Sequence, residues 1–298
     1  MMKHCTRFFL PLLLLCLSLV AFALGAGAAV ETGSCGDNLT YALDTETGVL
    51  TISGNGAMTD FYEATPAPWS SYAASVRTVV LEEGVTTLGN LALVGTNLER
   101  LTLPTTLTEI GTGNLPWESP LWKSMPDGEV CVDGWLMGYK GTKPKNLCLS
   151  EGIVGMTDGV FALGSVETAV LPSSLMYVGK DSFFLCDALT DVTILNPDCI
   201  FKGDMNRIPF PLSTTLHGYA GSTAEAYASM YGNPFVAMQT PVRGTGDADG
   251  DGAITVSDAL LVLRTLLSGG AADEYTDMNG DGELSLLDIV LILKGIKV

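Results

Sequence analysis

The sequence predicts a β-rich solenoid over about residues 34–238, followed by a small all-α module at the C-terminal end. Two observations predict this organisation. A short apolar segment of strand character recurs at a constant step, as from Leu81 to Leu103 and from Leu149 to Leu171, which is typical of a coil built from stacked repeats. An aspartate-rich segment then occurs twice, starting at Asp247 and again at Asp277, and each copy leads into an apolar pattern of helical period. At 298 residues the chain is long enough for both parts.

The N-terminal residues have the pattern of a secretory signal peptide. Lys3 and Arg7 precede a nearly unbroken apolar run at residues 8–24, and the small residues 26–28 provide a cleavage site. The run is short for a retained membrane anchor, and no basic stop-transfer flank follows it. We therefore expect residues 1–28 to be removed, the protein to be secreted, and no membrane span to remain after cleavage.

The chain is strongly acidic, with a formal net charge of −18. Nucleic-acid binding depends on clustered Lys and Arg side chains that neutralise phosphates, so this composition argues against a nucleic-acid partner. An acidic composition of this kind favours the binding of cations instead.

Cysteine and histidine usage excludes several kinds of site. Five cysteines follow the signal peptide without a C-x-x-C pair, namely Cys35, Cys131, Cys148, Cys186 and Cys199. Their odd number implies no disulfide framework, although one or two bridges stay open, and we expect most of them to be buried in the repeat core. His217 is the single histidine after residue 28, which excludes a histidine-rich zinc site and argues against a Ser-His-Asp triad.

A β-hairpin is predicted at the start of the repeat domain. Residues 39–43 and 49–53 are alternating or β-branched runs, and residues 44–48 supply turn-forming types between them.

The repeat follows this hairpin. Residues 78–89 are echoed at 100–111, 147–156, 168–179 and, partly, 192–194, and successive adjacent copies are separated by nearly the same step. Each unit presents alternate apolar residues that it cannot bury alone, so neighbouring units must stack and share a core. We expect Phe161 and Phe183 to fill that core from the far side of the coil. The period predicts a solenoid of the leucine-rich-repeat type.

The array is interrupted between about residues 112 and 146. Trp117, Trp122 and Trp135 occur in this segment together with Pro116, Pro120 and Pro126. The tryptophans could bind a sugar or a protein partner from an exposed surface, or they could fill the gap that the interrupted repeat leaves in the core. The sequence leaves both interpretations open.

Several motifs in this domain resemble those of BspA-like leucine-rich repeat proteins. They are the N-terminal segment at residues 34–40 with 50–54, the insert at 126–128 with 138–141, and the closing segment at 218–228. The resemblance covers residues 34 to 238 and implies a surface adhesion or scaffold role without a shared catalytic site. The domain is thus assigned to residues 29–238, and the turn-rich residues 239–246 are predicted to be a linker.

The two aspartate-rich segments have the spacing of calcium-binding loops. Calcium takes six or more oxygen ligands, which such a loop supplies from positions 1, 3, 5, 7, 9 and 12, with a glycine at position 6. The predicted ligands, in order of position, are Asp247, Asp249, Asp251, Ala253, Thr255 and Asp258 in the first loop and Asp277, Asn279, Asp281, Glu283, Ser285 and Asp288 in the second. Ala253 and Glu283 would use their backbone carbonyl oxygens, and Thr255 and Ser285 would bind directly or through water. Two calcium ions are predicted.

An apolar helical pattern follows each loop. In the first copy Val256, Ala259, Leu260, Leu263 and Leu267 match one face of a helix, and in the second copy Leu286, Leu287, Val290 and Leu291 do so. No helix is predicted ahead of residue 247, and position 12 is Asp in both loops rather than the usual Glu, which argues against an ordinary EF-hand pair.

A loop followed by a helix, twice in succession, resembles a type I dockerin, here over residues 247–298. The resemblance implies a calcium-dependent partner, the cohesin module of a scaffold protein. It also implies which residues contact that partner: positions 10 and 11 of each loop, which are Val256, Ser257, Leu286 and Leu287, assisted by Arg264 and Lys294. The two pairs differ chemically, so a symmetric two-way binding mode does not follow from this sequence.

These observations favour a secreted, non-catalytic interaction protein that docks onto a cohesin scaffold while its repeat domain binds a protein or a glycan. By resemblance, the setting is a cellulosome-like complex that degrades polysaccharides, outside the cell or at its surface. Glycoside hydrolysis would need two carboxylates across a cleft, and the sequence offers no recognisable pair outside the calcium loops. The alternative is an accessory carbohydrate-binding or glycoside-hydrolase-associated subunit of the same complex.

Overall fold

A computed structural model describes residues 30–204, 206–238, 246–273, 275–280 and 282–295. The predicted signal peptide and residues 239–245 of the predicted linker lie outside these ranges. Within them, no helix combines the length and apolar character that a membrane crossing requires.

The repeat domain begins with three antiparallel strands: β1 Val30–Gly36, β2 Leu39–Asp44 and β3 Val49–Gly54. The turn between β2 and β3 forms because the Asp44 carboxylate accepts hydrogen bonds from the backbone N–H groups of Glu46 and Thr47, at 2.9 and 3.1 Å. Gly48 closes it with a φ of 73°, which favours glycine. The predicted hairpin is confirmed, with β1 as an additional strand.

The chain then coils through successive turns, each of which adds one longer parallel strand. These strands are β5 Thr78–Leu81, β7 Arg100–Thr102, β11 Asn146–Cys148, β13 Thr168–Leu171, β15 Asp191–Ile194, β17 Thr215–Tyr219 and β18 Phe235–Met238. Register follows the repeat step: Thr78 lies opposite Arg100, and Asn146 lies opposite Thr168. The predicted solenoid is confirmed.

A second, shorter strand follows in most turns. These strands are β4 Gly56–Ala57, β6 Val85–Leu88, β8 Glu109–Ile110, β12 Gly155–Met156, β14 Tyr177–Val178 and β16 Ile200–Phe201. A 3-10 helix, Ser70–Ser75, lies between the first two turns, and α2, Thr223–Tyr231, lies between β17 and β18.

Side chains also connect equivalent positions of adjacent turns. The carboxylate of Glu83 accepts a hydrogen bond from the Thr105 backbone N–H at 2.8 Å, and Glu151 does the same for Ser173 at 2.9 Å. The two pairs have the same separation along the chain, so each glutamate satisfies a backbone donor of the next turn. His217, on β17, lies 2.8 Å from the Asp191 carboxylate on the neighbouring strand β15.

Phenylalanines fill the coil opposite the longer strands. Phe161, Phe183 and Phe210 are almost fully buried and stack in a row, with ring centroids 5.3 and 5.6 Å apart. The predicted role of Phe161 and Phe183 in the core is confirmed, and Phe210 continues the row.

The interruption of the repeat contains a short helix and a hairpin. The helix is α1, Pro120–Ser124, and the hairpin strands are β9, Gly128–Val132, and β10, Trp135–Lys140. Asp133 and Gly134 join the two strands with φ angles of 46° and 81°, the left-handed pair that a tight hairpin turn requires. This Asp-Gly pair is a sequence signal from which the hairpin could have been predicted. Because β10 pairs in parallel with β12, the hairpin adds two strands to the edge of the sheet that the later turns form.

The three tryptophans of the interruption do not form one exposed surface. Trp135 is 3% exposed and stacks on the Tyr177 ring at 5.9 Å, in space left by Gly155, which has no side chain. Trp122 is half-buried and lies against Gly138, whereas Trp117 is 71% exposed. Trp135 therefore fills the gap in the core, and Trp117 alone is presented to solvent.

The buried side chains of the solenoid form two clusters that meet at this hairpin. Val132 and Trp135 belong to the cluster of the first turns, and Leu136 belongs to the cluster of the later turns.

The five cysteines are free, and Cys35, Cys186 and Cys199 are buried as expected. Burial raises the pKa of the Cys35 thiol to about 11 and that of Cys199 to about 12, so neither is a reactive thiolate at neutral pH.

The C-terminal module contains α3, Val256–Leu267, and α4, Leu286–Gly295. Its small core is formed by Ala248, Ala259, Val262, Ile289 and Ile292. The predicted helix faces were partly wrong: Ala259 is buried and Leu263 is half-buried, but Leu260 is 56% and Leu267 is 79% exposed. In α4 Val290 is exposed, and so are Leu286 and Leu287, which are the residues predicted to contact a partner. The sequence is apolar around most of each helix, so its period does not identify the inner face.

Candidate calcium centre and docking surface

The first loop brings three of its predicted ligands together. Oxygen atoms of Asp247, Asp249 and Asp258 all lie within 4.8 Å of one another. The Asp247 side chain is held from inside the loop, because it accepts hydrogen bonds from the backbone N–H groups of Gly250 at 2.8 Å and Gly252 at 3.0 Å. Asp247 is 1% exposed and Asp258 is fully buried.

Asp258 joins the loop to the helix that follows. It is the third residue of α3, and its carboxylate accepts hydrogen bonds from the backbone N–H groups of Asp249 at 3.1 Å and of Thr255 at 2.7 Å. Thr255 is the N-cap of α3, and its hydroxyl accepts a hydrogen bond from the Ser257 N–H at 3.1 Å. Thr255 and Asp258 together form a capping box. The loop and the helix start are therefore held by one carboxylate.

The electrostatics of this loop favour a bound cation. Desolvation, together with the negative charges of Asp258, Asp251 and Asp247, raises the pKa of Asp249 to about 6. Carboxylates crowd in this way at small cost only when a cation neutralises them. The donors are all oxygen atoms, which suits a hard ion such as calcium. The residues present therefore fit a calcium ion.

The second loop repeats the same pattern from Asp277 onwards. Asp277 accepts hydrogen bonds from the N–H groups of Gly280 at 2.7 Å and Gly282 at 2.8 Å. Asp288, fully buried, accepts from Met278 at 2.8 Å and from Ser285 at 2.9 Å. The two loops thus hold their first carboxylates by equivalent bonds, and in both loops the closing carboxylate accepts a bond from the N–H of the residue at position 9. Asp281 lies outside the described residues.

The other predicted ligands within the described residues lie in the same two loops. Asp251 is exposed, and its carboxylate accepts a hydrogen bond from the Ala253 N–H at 2.7 Å. Asn279 and Glu283 are exposed, and Ser285 is half-buried beside Asp288, with its hydroxyl donating to that carboxylate at 2.8 Å. Their ligation of calcium stays a prediction, as does that of Ala253 and Thr255.

The residues predicted to contact a partner are all exposed. Val256 is 56%, Leu286 is 66% and Leu287 is 51% exposed, and Ser257, Arg264 and Lys294 are also on the surface. Sequence reasoning missed the rest of this surface, because Leu260 and Val290, at equivalent positions of α3 and α4, were identified only as part of the apolar helical pattern. Val256 with Leu286, Leu260 with Val290 and Arg264 with Lys294 occupy equivalent positions of the two loop–helix units. Each helix therefore presents two apolar side chains followed by a basic one.

Two family models match the chain. A BspA type Leucine rich repeat region is matched in six copies over residues 70–116 and 139–202, and a Dockerin type I domain is matched over residues 245–296. The dockerin match includes Gly246, whose N–H donates to the Tyr275 carbonyl oxygen at 2.7 Å. The predicted resemblances to these two families are both confirmed.

Three solved structures are similar over about two thirds of the chain. A leucine-rich repeat protein from Eubacterium ventriosum is 16% identical, with 65% of this chain and 73% of that chain covered and a TM-score of 0.24. A leucine rich repeat protein from T. pallidum is 18% identical, with 67% and 96% covered and a TM-score of 0.22. A leucine rich cell surface protein from Faecalibacterium prausnitzii is 11% identical, with 64% and 71% covered and a TM-score of 0.24. TM-scores this low carry no argument about the shape or function of this chain.

Comparison with curated proteins finds no significant match. The regular repeat period, the stacked coil, the paired aspartate loops and the two family matches nevertheless agree with one another. The chain consists of a BspA-type leucine-rich repeat region followed by a C-terminal type I dockerin domain.

Proposed function

We propose that the protein is a secreted, non-catalytic interaction protein that attaches through its dockerin to a cohesin module of a scaffold protein. The observation that carries this proposal is the pair of equivalent loop–helix units, each with a buried position-12 carboxylate and an exposed apolar helix start. A dockerin domain implies a cohesin partner, and the exposed apolar residues provide a surface that such a partner would cover.

Calcium has a structural part in this proposal. Two ions, one per loop, would neutralise the clustered carboxylates and fix the starts of α3 and α4, which carry the docking residues. The bound ions supply no chemistry beyond this charge neutralisation and ordering. Docking should therefore depend on calcium.

The repeat domain is the part that binds a further protein or a glycan. Both matched families are non-catalytic, which supports a role in binding or display rather than hydrolysis. The cellulosome-like, polysaccharide-degrading setting and the location outside the cell or on a scaffold at its surface follow from the dockerin and from the predicted signal peptide. A role as an accessory carbohydrate-binding or glycoside-hydrolase-associated subunit is the second candidate, and exposed Trp117 favours its carbohydrate-binding form.

Isothermal titration of the mature chain with a panel of cohesin modules tests the docking role. We expect binding in calcium and none after chelation. Replacing both closing carboxylates, Asp258→Ala with Asp288→Ala, should abolish binding, and Leu286→Ala with Leu287→Ala should weaken it at unchanged calcium uptake. Asp187→Ala and Met230→Ala, at exposed positions of the repeat domain, are the matched controls. Calcium uptake without binding to any cohesin would refute the scaffold assignment.

A further inference from the structure

Trp117 is an exposed aromatic side chain on a fixed turn. Its 71% exposure contrasts with 1% for Trp69 and 3% for Trp135. The turn is held on both sides: the Ser119 N–H donates to the Pro116 carbonyl oxygen at 2.9 Å, and the Leu121 N–H donates to the Leu98 carbonyl oxygen at 2.8 Å. Because its backbone is fixed by the preceding turn of the solenoid, Trp117 would lose little freedom on binding a ligand.

A cleft of about 630 Å³ lies beside this side chain, between two successive turns of the solenoid. Val94 and Asn97 line it from the earlier turn, and Leu115, Trp117 and Glu118 line it from the later one. Gly95 and Gly113 also line it, with φ angles of 75° and 74° that favour glycine. At these two points the backbone faces the cleft without a side chain. A cleft of this volume is within the range of small-molecule sites.

One part of the cleft wall is apolar, and another part is polar. Val94 is 53% exposed and, with Leu115 and the Trp117 ring, forms the apolar part. The exposed Asn97 amide offers both hydrogen-bond donors and an acceptor. Aromatic side chains with neighbouring amide and carboxyl groups match a pyranose ring, which has a C–H face to stack and hydroxyl groups around its edge.

Charge favours an uncharged ligand in this cleft. The Glu118 carboxylate pairs with Lys123 at 2.8 Å, so the local charges balance. The whole chain has a net charge of −18, which opposes the approach of an anion such as an acidic polysaccharide.

We propose that this cleft binds a neutral saccharide, whose ring stacks on Trp117 and whose hydroxyl groups bond to Asn97 and Glu118. The proposal deepens the binding role proposed above for the repeat domain and is independent of the dockerin. It assigns the ligand to Trp117 alone among the three tryptophans of the interruption, since Trp135 belongs to the core and Trp122 is half-buried.

The test is isothermal titration of the calcium-loaded mature chain with cellohexaose, xylohexaose and maltohexaose, which are neutral oligosaccharides of different linkage. We expect at least one to bind and to protect tryptophan fluorescence from acrylamide quenching. Trp117→Ala should weaken that binding about 30-fold or more, and Trp117→Phe should weaken it less because a ring remains. Met230→Ala, at an exposed apolar residue of α2, is the matched control and should have no effect.

Absence of binding for all three oligosaccharides at millimolar concentration, or binding that Trp117→Ala leaves unchanged, would overturn the saccharide proposal. Trp117 is exposed, so we expect its variants to fold, and an unchanged circular dichroism spectrum checks this. Titration of the same preparations with a cohesin separates the two proposals. Cohesin binding without saccharide binding overturns this inference alone, and the reverse result overturns the docking role alone.

Discussion

Removal of calcium should unfold the dockerin and leave the repeat domain intact. In the first loop three carboxylates have oxygen atoms within 4.8 Å of one another. At an effective dielectric constant of about 20, two unit charges at that distance repel by roughly 3.5 kcal/mol, so three pairs amount to on the order of 10 kcal/mol. Solvent at the exposed Asp249 reduces this sum. Half of this repulsion energy is still comparable with the whole free energy of unfolding of a small domain, about 5–15 kcal/mol.

Bound calcium acts in the opposite direction. An ion that binds only the folded loop, at a free concentration about 100 times its Kd, adds roughly 2.7 kcal/mol per site to the free energy of unfolding. Two sites add about 5 kcal/mol to the free energy of unfolding of the module. The bound ions also remove most of the repulsion between the carboxylates of each loop. A domain of this size has few other sources of stability, because its buried core is small.

Far-UV circular dichroism of the mature chain, with calcium and after chelation, measures this effect. The helical signal reports mainly on the dockerin, since α3 and α4 have 12 and 10 residues, against 9 in α2 and 5 in α1. We expect most of it to disappear on chelation and to return with calcium, while magnesium restores less. An unchanged spectrum after complete chelation would refute the electrostatic reasoning.

Three further predictions concern burial and titration. Phe183→Ala should lower the free energy of unfolding of the repeat domain by about 3–5 kcal/mol in urea titrations, because the ring is buried between two others. The control Phe184→Ala, at a side chain that is 50% exposed, should change this free energy by less than about 1 kcal/mol. Burial raises the pKa of Asp158 from 3.8 to about 6, so the folded state holds this proton more tightly than the unfolded state. The stability of the wild type relative to Asp158→Asn should therefore fall as the pH rises from about 4 to 6, by on the order of 2 kcal/mol, and a rise over that range would contradict the assignment. In saturating calcium, Ile292→Ala should destabilise the dockerin by about 2–5 kcal/mol. Leu293→Ala, at a side chain that is 44% exposed, should leave its stability unchanged. Equal shifts of the thermal unfolding midpoint in the two variants would show that the inner face of α4 is wrongly assigned.

The elements with a strong period were predictable from sequence. A strand that recurs at a constant step can be buried in one way only, by stacking in register, and the pairing of Thr78 with Arg100 follows that step. The convergence of Asp247, Asp249 and Asp258 was predictable for a similar reason, since the spacing of the aspartates and the glycine at position 6 leave few alternatives. In both cases several residues had to satisfy one geometry together.

The parts that were missed depend on contacts between distant residues. The inner face of α3 cannot be read from a helix that is apolar at Val256, Leu260, Leu261 and Val262 alike, because only the packing against α4 decides that Val262 is buried. The three tryptophans of the interruption were treated as one group, yet Trp135 finds its partner in Tyr177, in a later turn of the coil. Nothing local to residue 135 indicates that contact.

The hairpin of β9 and β10 has a consequence for how the solenoid folds. A stacked array is a nearly one-dimensional system, in which each unit is coupled to its neighbours and hardly to anything else. Here the two halves of the array have separate clusters of buried side chains, and the adjacent residues Trp135 and Leu136 belong one to each. The strand β10 is thus one link between the halves. The Asp158 N–H, which donates to the Ile110 carbonyl oxygen, and the ion pair of Lys180 with Glu109 are others. The combined strength of these links decides whether the domain unfolds in one step or as two blocks.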